Sequence, residues 1–208
     1  MHAPIIRPYS AADLEALYEI ALRTGDAGQD ASKLYLDPRL VGEIWAAPYA
    51  QLTPETCFVL EDEEGVGGYV LGCLSTREFE RQAEQRWWPS ARARHPEPRR
   101  EDRANWSPDD RLRWRIHHPV IIPEAIAGPY PSHLHIDLLP RLQGRGFGRA
   151  LLDRWFETVR SMGSKGAHLE VSPANARAIR FYRAYGLVEP DGSSQGGLWF
   201  ARHLAAQS

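Results

Sequence analysis

The sequence has little of three things that would quickly place a protein in a class. Cysteine occurs only at Cys57 and Cys73. Each sits in an apolar, strand-like run, which argues against a disulfide framework and for two small buried hydrophobes in a reducing compartment. No stretch of ~18 apolar residues is available to span a membrane, and the N-terminus lacks the apolar run of a signal peptide. Charge of one sign is also missing. The formal net charge is −2, so no overall pull toward nucleic acid or a membrane surface follows. No internal repeat is visible. The expectation is a cytoplasmic protein with neither a membrane nor a nucleic-acid partner. What is present suits one domain spanning residues 1–208, with an insertion: 208 residues, 43% of them hydrophobic, and seven tryptophans can bury a core.

The informative stretch is Leu138-Leu139-Pro140-Arg141-Leu142-Gln143-Gly144-Arg145-Gly146-Phe147-Gly148-Arg149. An apolar run over 133–139 precedes it, short enough for a strand. Afterwards Phe147, Leu151, Leu152, Trp155, Phe156, Val159 and Met162 recur at helical spacing until Gly163. The unit reads strand, glycine-rich turn, helix. Glycines at alternate positions strip side chains from the turn, so its backbone N–H groups can converge on an anion at the positive end of the helix. Arg145 and Arg149 add charge there, and together these features indicate a phosphate site. A nucleotide P-loop would need a Lys after its glycines, and none follows. A dinucleotide fold would place its glycines after an early strand, whereas this turn comes late with no second βαβ half behind it.

Elsewhere, residues 4–9 suit a short strand. Ser10, with Asp13 three positions on, caps a helix bearing Leu14, Leu17, Tyr18, Ala21 and Leu22, closed by Gly25. Asp37-Pro38 is expected to start a second helix with Leu40, Val41, Ile44 and Trp45 on its apolar face, ended or bent at Pro48. Residues 56–60 and 66–75 suit a hairpin around the acidic turn 61–65, which reads as a solvated bend. Residues 77–128 break the pattern. Eight arginines lie between Arg77 and Arg103, with Trp87-Trp88-Pro89 among them. Interspersed glutamates favour an amphipathic insertion, its tryptophans packed inward and its arginines in water, over a nucleic-acid surface. A long insertion can also shape a substrate site. Residues 109–118 suit a short helix and 167–171 a strand. A helix then opens near Asn175 and stops at Gly186, and short strands are expected at 187–188 and 198–203 around a turn at 192–197.

Two motifs carry a resemblance. Gln143-x-x-Gly146-x-Gly148 resembles the pyrophosphate loop of the GNAT (Gcn5-related) N-acetyltransferases. Asn175, then Phe181-Tyr182 and Gly186-Leu187, resembles the later helix of that family, with Leu187 in place of the usual Phe. The element order β-α-α-β-β-(insertion)-β-α-β-α-β-β is similar to the family's. The resemblance implies an α/β fold with a mixed central sheet flanked by helices, the Arg/Trp-rich insertion 77–128 falling between the third and fourth strands. It also implies acetyl-CoA as cosubstrate, no metal, and a small-molecule or peptide amine as acceptor, in a monomer or homodimer. Leu138, Leu139, Gln143, Gly144, Arg145, Gly146, Phe147, Gly148, Arg149, Asn175 and Tyr182 would hold the cofactor. Asn175 would meet the pantetheine arm and Tyr182 the sulfur. Seven residues of helix put those two about 10 Å apart on one face.

Amide transfer needs an acid for the leaving thiolate and a base for the amine. A phenol of pKa ~10 makes Tyr182 the candidate acid, and an amine of pKa ~10.4 must lose a proton at neutral pH. Two carboxylates are candidate bases. Glu170 resembles a position used in ribosomal-protein-alanine N-acetyltransferases. Asp137 alternates with His133 and His135, which puts all three on one strand face. The two histidines alone do not complete a metal site. Backbone N–H groups near Leu138, where strands of this family splay, would serve the oxyanion. A closer similarity covers roughly residues 56–204. Cys57 through Gly72, the Trp88-Pro89 and Ile136-Asp137 neighbourhoods and Glu170-Val171 resemble the C-terminal acetyltransferase-like domain of animal O-GlcNAcase. The chain is expected to be a stand-alone bacterial relative with an intact loop and no hexosaminidase activity.

Overall fold

The computed structural model describes residues 3–190 and 198–204. Its helices are α1 (Leu14–Thr24), α2 (Leu40–Trp45), α3 (Ala47–Leu52), α4 (Thr76–Arg86), α5 (Trp88–Arg94), α6 (Pro108–His117), α7 (Glu124–Ala127), α8 (Phe147–Ser161) and α9 (Ala176–Tyr185). Six strands form one sheet in chain order: β1 (Ile5–Pro8), β2 (Phe58–Asp62), β3 (Gly65–Cys73), β4 (Ser132–Leu138), β5 (Gly166–Val171) and β6 (Leu198–His203). Every neighbouring pair is antiparallel except β4 and β5. That parallel pair needs a crossover, and α8 supplies it. The mixed sheet flanked by helices is the arrangement expected.

Each sheet face buries its own core. Leu17, Leu40, Tyr69, Leu71 and Ile116 belong to the side carrying α1–α3 and the insertion helices. Val70, Leu134, Leu151, Trp155 and Phe200 belong to the side carrying α8 and α9. Strand alternation explains the split, since Tyr69 and Leu71 point one way and Val70 the other. Trp155 is fully buried, and its indole N–H donates to the Thr56 carbonyl at 3.0 Å. A side chain at Gly72 would press into that indole and the His133 carbonyl, so only glycine lets α8 lie this close to β3. Both cysteines are buried and free.

Several boundaries differ from the sequence expectation, each for a local reason. The Ser10–Asp13 capping box forms, but it closes a tight turn over 11–13 before α1 begins. Asp37 caps a turn by accepting the Arg39 N–H at 3.0 Å, and α2 starts only at Leu40. Pro48 does not end α2, which stops at Trp45. It sits in the first turn of α3, where its missing N–H costs nothing. Thr56 belongs to a turn, because its hydroxyl donates to the Gly72 carbonyl at 2.6 Å, and β2 begins at Phe58. Leu187-Val188 gives a single bridge, Val188 to Ala201, rather than a strand. The expected turn at 192–197 lies outside the described residues.

The insertion lies between β3 and β4 and folds as α4–α7. Trp88 and Trp106 are buried. Arg77, Arg81 and Arg92 pair with Glu80 and Glu124, Glu78, and Glu84 respectively. These are the packed tryptophans and solvated arginines of an amphipathic segment. Arg94 reaches buried Glu43 at 2.8 Å and ties α5 to α2. The acidic turn is more than a solvated bend. Asp62 accepts from Arg141 at 3.1 Å, which holds its carboxyl below the usual range and anchors the chain just ahead of the glycine-rich turn.

Candidate active site

β4 and β5 pair at two positions, Ser132 with Ala167 and His133 with His168. Past His133 they part, although β4 runs on to Leu138 and β5 to Val171. Leu139 N–H donates to the Gly67 carbonyl at 2.8 Å, continuing the β3–β4 ladder. Hydrogen-bonding direction alternates along such a ladder, so the amides of Ile136 and Leu138 face away from β3 and into the gap. A cavity of about 850 Å³ occupies this wedge. Gln143 sits beside it, donating to the Leu138 carbonyl at 2.6 Å and accepting from Arg177.

The glycine-rich turn closes one end of the cavity. Gly144 (φ 71°) and Gly146 (φ 85°) are in the left-handed region, and among the described residues nothing beyond the adjoining chain lies within 4 Å of where a Cβ would stand. The turn is therefore bare by conformation rather than by crowding. Gly146 is the N-cap of the 15-residue α8, whose unpaired amides and positive dipole end face the same space. Gly148 and Arg149 also line the cavity, as do Asn175 and Tyr182 further along. Asn175 caps α9 by accepting the Ala178 N–H at 3.0 Å, and among the described residues its amide NH₂ has no hydrogen-bond partner. Bare amides, a helix N-terminus and an arginine suit a diphosphate, and an open strand edge suits an amide-bearing arm. The residues present thus fit acetyl-CoA.

Of the residues expected around the cofactor, three have side chains that do not line the cavity, and two of these belong to the turn itself. Leu139 is buried in the core and its N–H is already given to Gly67. Phe147 packs on the α8 side of the sheet, and Arg145 lies over its ring, 5.1 Å from the centroid. None of the three lines the cavity, whereas Leu138 does.

The titratable groups gather at the middle of the wedge. His133, His135 and Asp137 share one face of β4. Asp137 accepts from the Tyr69 hydroxyl directly across the ladder at 2.8 Å. Burial pushes its carboxyl up to about 6, against the opposing pull of that hydrogen bond. Tyr182 is buried on its ring, and burial, then the nearby Asp137 charge, raises its phenol and keeps it protonated. No hydrogen bond engages its hydroxyl among the described residues. Glu170 is exposed on β5 and borders the cavity.

A second, smaller cavity of about 190 Å³ adjoins the first. Trp45, Arg115, His135 and Glu170 border both. Its outer wall comes from the insertion: Phe79, Ala83 and Trp88 from α4 and α5, Arg115 from α6, and the segment Pro119–Ile122. Sequence reasoning missed most of this wall, and it missed Tyr49 entirely. The Tyr49 hydroxyl contacts Nε2 of both His133 (2.8 Å) and His135 (3.0 Å). The network fixes the proton positions. The Thr76 hydroxyl donates to the Pro131 carbonyl, so it accepts from His133 Nδ1. His133 Nε2 then accepts from Tyr49, which accepts from His135 Nε2. Both rings are held neutral. Burial lowers His133 well below its ordinary value, and burial with the Arg115 field takes His135 down to about 4. Among the described residues, no group of three or more His, Cys, Asp or Glu side chains is placed to hold a metal ion, and no helix is long and apolar enough to cross a membrane.

Comparison with known proteins agrees with this geometry. The model of the acetyltransferase (GNAT) family matches residues 14–187, and the chain belongs to that family, whose reaction is acyl transfer from acetyl-CoA. The chain is 26% identical over 185 residues to protein O-GlcNAcase of Rattus norvegicus, covering 88% of this chain. It spans 20% of the length of that relative. The crystal structure of SsHAT superimposes with a TM-score of 0.90 at 39% identity, covering 98% of this chain and all of the other. A putative acetyltransferase from Salmonella typhimurium, yncA, solved with its cofactor acetyl-CoA, shares the fold at a TM-score of 0.53. Its identity is 18%, covering 100% of this chain and 97% of that one.

Proposed function

We propose that the protein is an N-acetyltransferase acting on a primary amine, with residues 1–208 working as one acetyltransferase domain. The observation that carries this reading is the wedge between β4 and β5, which runs from the bare glycine turn to Tyr182 and Glu170 and there meets the second cavity. When bound, acetyl-CoA supplies a thioester acetyl that an amine takes up with release of the thiol. Gly144, Gly146, Gly148, Arg149 and the α8 N-terminus hold the diphosphate. Asn175 and the free amides of Ile136 and Leu138 align the arm, and those amides also face the oxygen that gains charge as the amine adds.

Tyr182 is the acid. Its hydroxyl has no hydrogen-bond partner among the described residues, and the phenol is protonated at neutral pH, so it can donate to the departing sulfur. Of the two candidate bases, Glu170 borders both cavities, whereas Asp137 lines the cofactor side alone. Glu170 therefore accepts the amine's proton, and Asp137 shapes the field around Tyr182. The insertion walls the acceptor side.

Coenzyme A release over an amine panel, in the parent and in Tyr182→Phe, Glu170→Gln and Asp137→Asn, tests these roles. Tyr182→Phe is expected to lower kcat by about 10²-fold and Glu170→Gln by a similar factor, with acetyl-CoA affinity retained in both. Asp137→Asn should change kcat less. Tight acetyl-CoA binding with no release from any amine would replace this reading with that of a binding module.

A further inference from the structure

The acceptor cavity has an uneven charge pattern. Among the described residues, four charged side chains border it: Glu80, Glu84, Arg115 and Glu170. Two are already committed. Glu80 holds Arg77 and the Ile122 N–H, and Glu84 holds both Nη atoms of Arg92. The other two are not. Among the described residues, Arg115 makes no ion pair and no hydrogen bond; its guanidinium lies 5.2 Å from the centroid of the Trp45 ring. It is half-buried, where a lone cation loses much of its hydration. Glu170 likewise has no partner. These two opposite charges border the junction of the two cavities and are not paired with each other. The remaining wall is largely apolar: Tyr49, Phe79, Trp88 and Trp199 inside, with Val120 and Ile121 exposed at the rim.

We propose that the acceptor is a small amino-carboxylate with an apolar body: Arg115 takes its carboxylate, Glu170 faces its ammonium, and the aromatic wall takes its side chain. This rests on the acetyl-transfer reading of the same site. An arginine fork matches a carboxylate with two parallel hydrogen bonds, and its seat on Trp45 pre-orients it. The volume of about 190 Å³ is below the ~300–1,000 Å³ of sites for drug-sized ligands, which suits a free amino acid. A lysine side chain or an internal peptide segment would bring no carboxylate to Arg115 and would leave it desolvated without a partner. In the transfer itself the N–C bond forms as the C–S bond breaks. The bound ammonium first gives one proton to Glu170, which releases it to solvent; as the amine adds, the sulfur receives the Tyr182 proton and the nitrogen's second proton returns to Tyr182.

The test uses the full chain loaded with coenzyme A, with L-phenylalanine, L-phenylalaninamide and 2-phenylethylamine as probes. Calorimetry gives affinity, and thiol release from acetyl-CoA gives kcat/KM. L-Phenylalanine is expected to bind at least about tenfold more tightly than its amide, the difference a charged hydrogen-bond pair supplies. Arg115→Gln should erase that ratio, and Arg115→Lys should restore part of it. Equal or better binding of the amide overturns the proposal. So does a preference that persists in Arg115→Gln, or a failure of all three probes to bind. Binding of L-phenylalanine with the expected ratio but no thiol release supports this assignment and sinks the transfer reading. Release from the amide or 2-phenylethylamine, but not from the amino acid, does the reverse.

Discussion

The two ends of the cleft are made from different kinds of chain. The cofactor end is local. One strand, one turn and one helix, contiguous from Ser132 to Ser161, supply its floor, its bare amides and its dipole. The acceptor end is assembled from far apart. Tyr49 meets His133 and His135 across 84 and 86 residues, and the wall comes from an insertion between β3 and β4. A contiguous unit keeps its geometry while distant parts of the chain vary, which suits a constant ligand such as a diphosphate. A wall added from an insertion can change without disturbing that unit, which suits a ligand that differs from one relative to the next.

If the ends are separable in this way, substitutions should divide between them. The largest effect is expected from Gly146→Val. A β-branched residue at φ 85° carries strain of ~1–3 kcal/mol, and relieving it turns the converging amides away. Acetyl-CoA affinity should fall roughly 100-fold, while binding of the acceptor probe to the protein without cofactor changes little. An equal loss at both ends would break the comparison.

Asp137 lies on the floor, so its replacement probes stability. Its folded-state pKa of about 6 stands above the ~3.9 of an unfolded Asp. The folded state therefore holds the proton more tightly, and stability is lost as pH rises from about 4 to 6. Asp137→Asn should raise the unfolding free energy by roughly 1–3 kcal/mol above pH 6.5. The gain should vanish below pH 4, as read from thermal unfolding across pH. His135 works in the opposite sense. Its pKa of about 4 lies below the ~6.5 of a free imidazole, so its contribution is complete above pH 6.5 and is lost as pH falls toward 4. Asp137 opposes this over the same window, but burial lowers His133 and His168 in the same sense as His135, so the three imidazoles together should make the parent less stable on acidification.

The smallest effect belongs to the rim. Ile121 is 62% exposed, so Ile121→Asp should leave folding intact and raise the acceptor KM by roughly fivefold, about the cost of one partly lost apolar contact. The KM for acetyl-CoA should not move.

The same contrast decides what could be read from the sequence. The glycine spacing, the periodicity of Leu151, Trp155 and Val159, and the alternation of His133, His135 and Asp137 are short-range signals, and the structure has them where they were expected. Phe181-Tyr182 and Asn175 were visible through a motif. Arg115 was not, because several arginines of the insertion find no carboxylate among the described residues, and nothing in the sequence marks the one that comes to lie beside both cavities. That depends on how the insertion folds, with Glu80, Glu84 and Glu78 holding other arginines. Tyr49 went unmarked for the same reason. Leu139 was misplaced because the parity of a strand decides which amide faces the gap, and one residue shifts it. Pro48 was misread because proline both ends one helix and opens the next, and only the backbone shows which.

The central claim is that a ligand completes the opened edge of β4. Amide hydrogen exchange, read residue by residue with and without acetyl-CoA, tests it most directly. The account predicts strong protection of Ile136 and Leu138 and of the 144–148 turn on adding acetyl-CoA, with the amides of β1 and β2 unchanged. Unaltered exchange at Ile136, Leu138 and the turn, in protein saturated with acetyl-CoA, would contradict it.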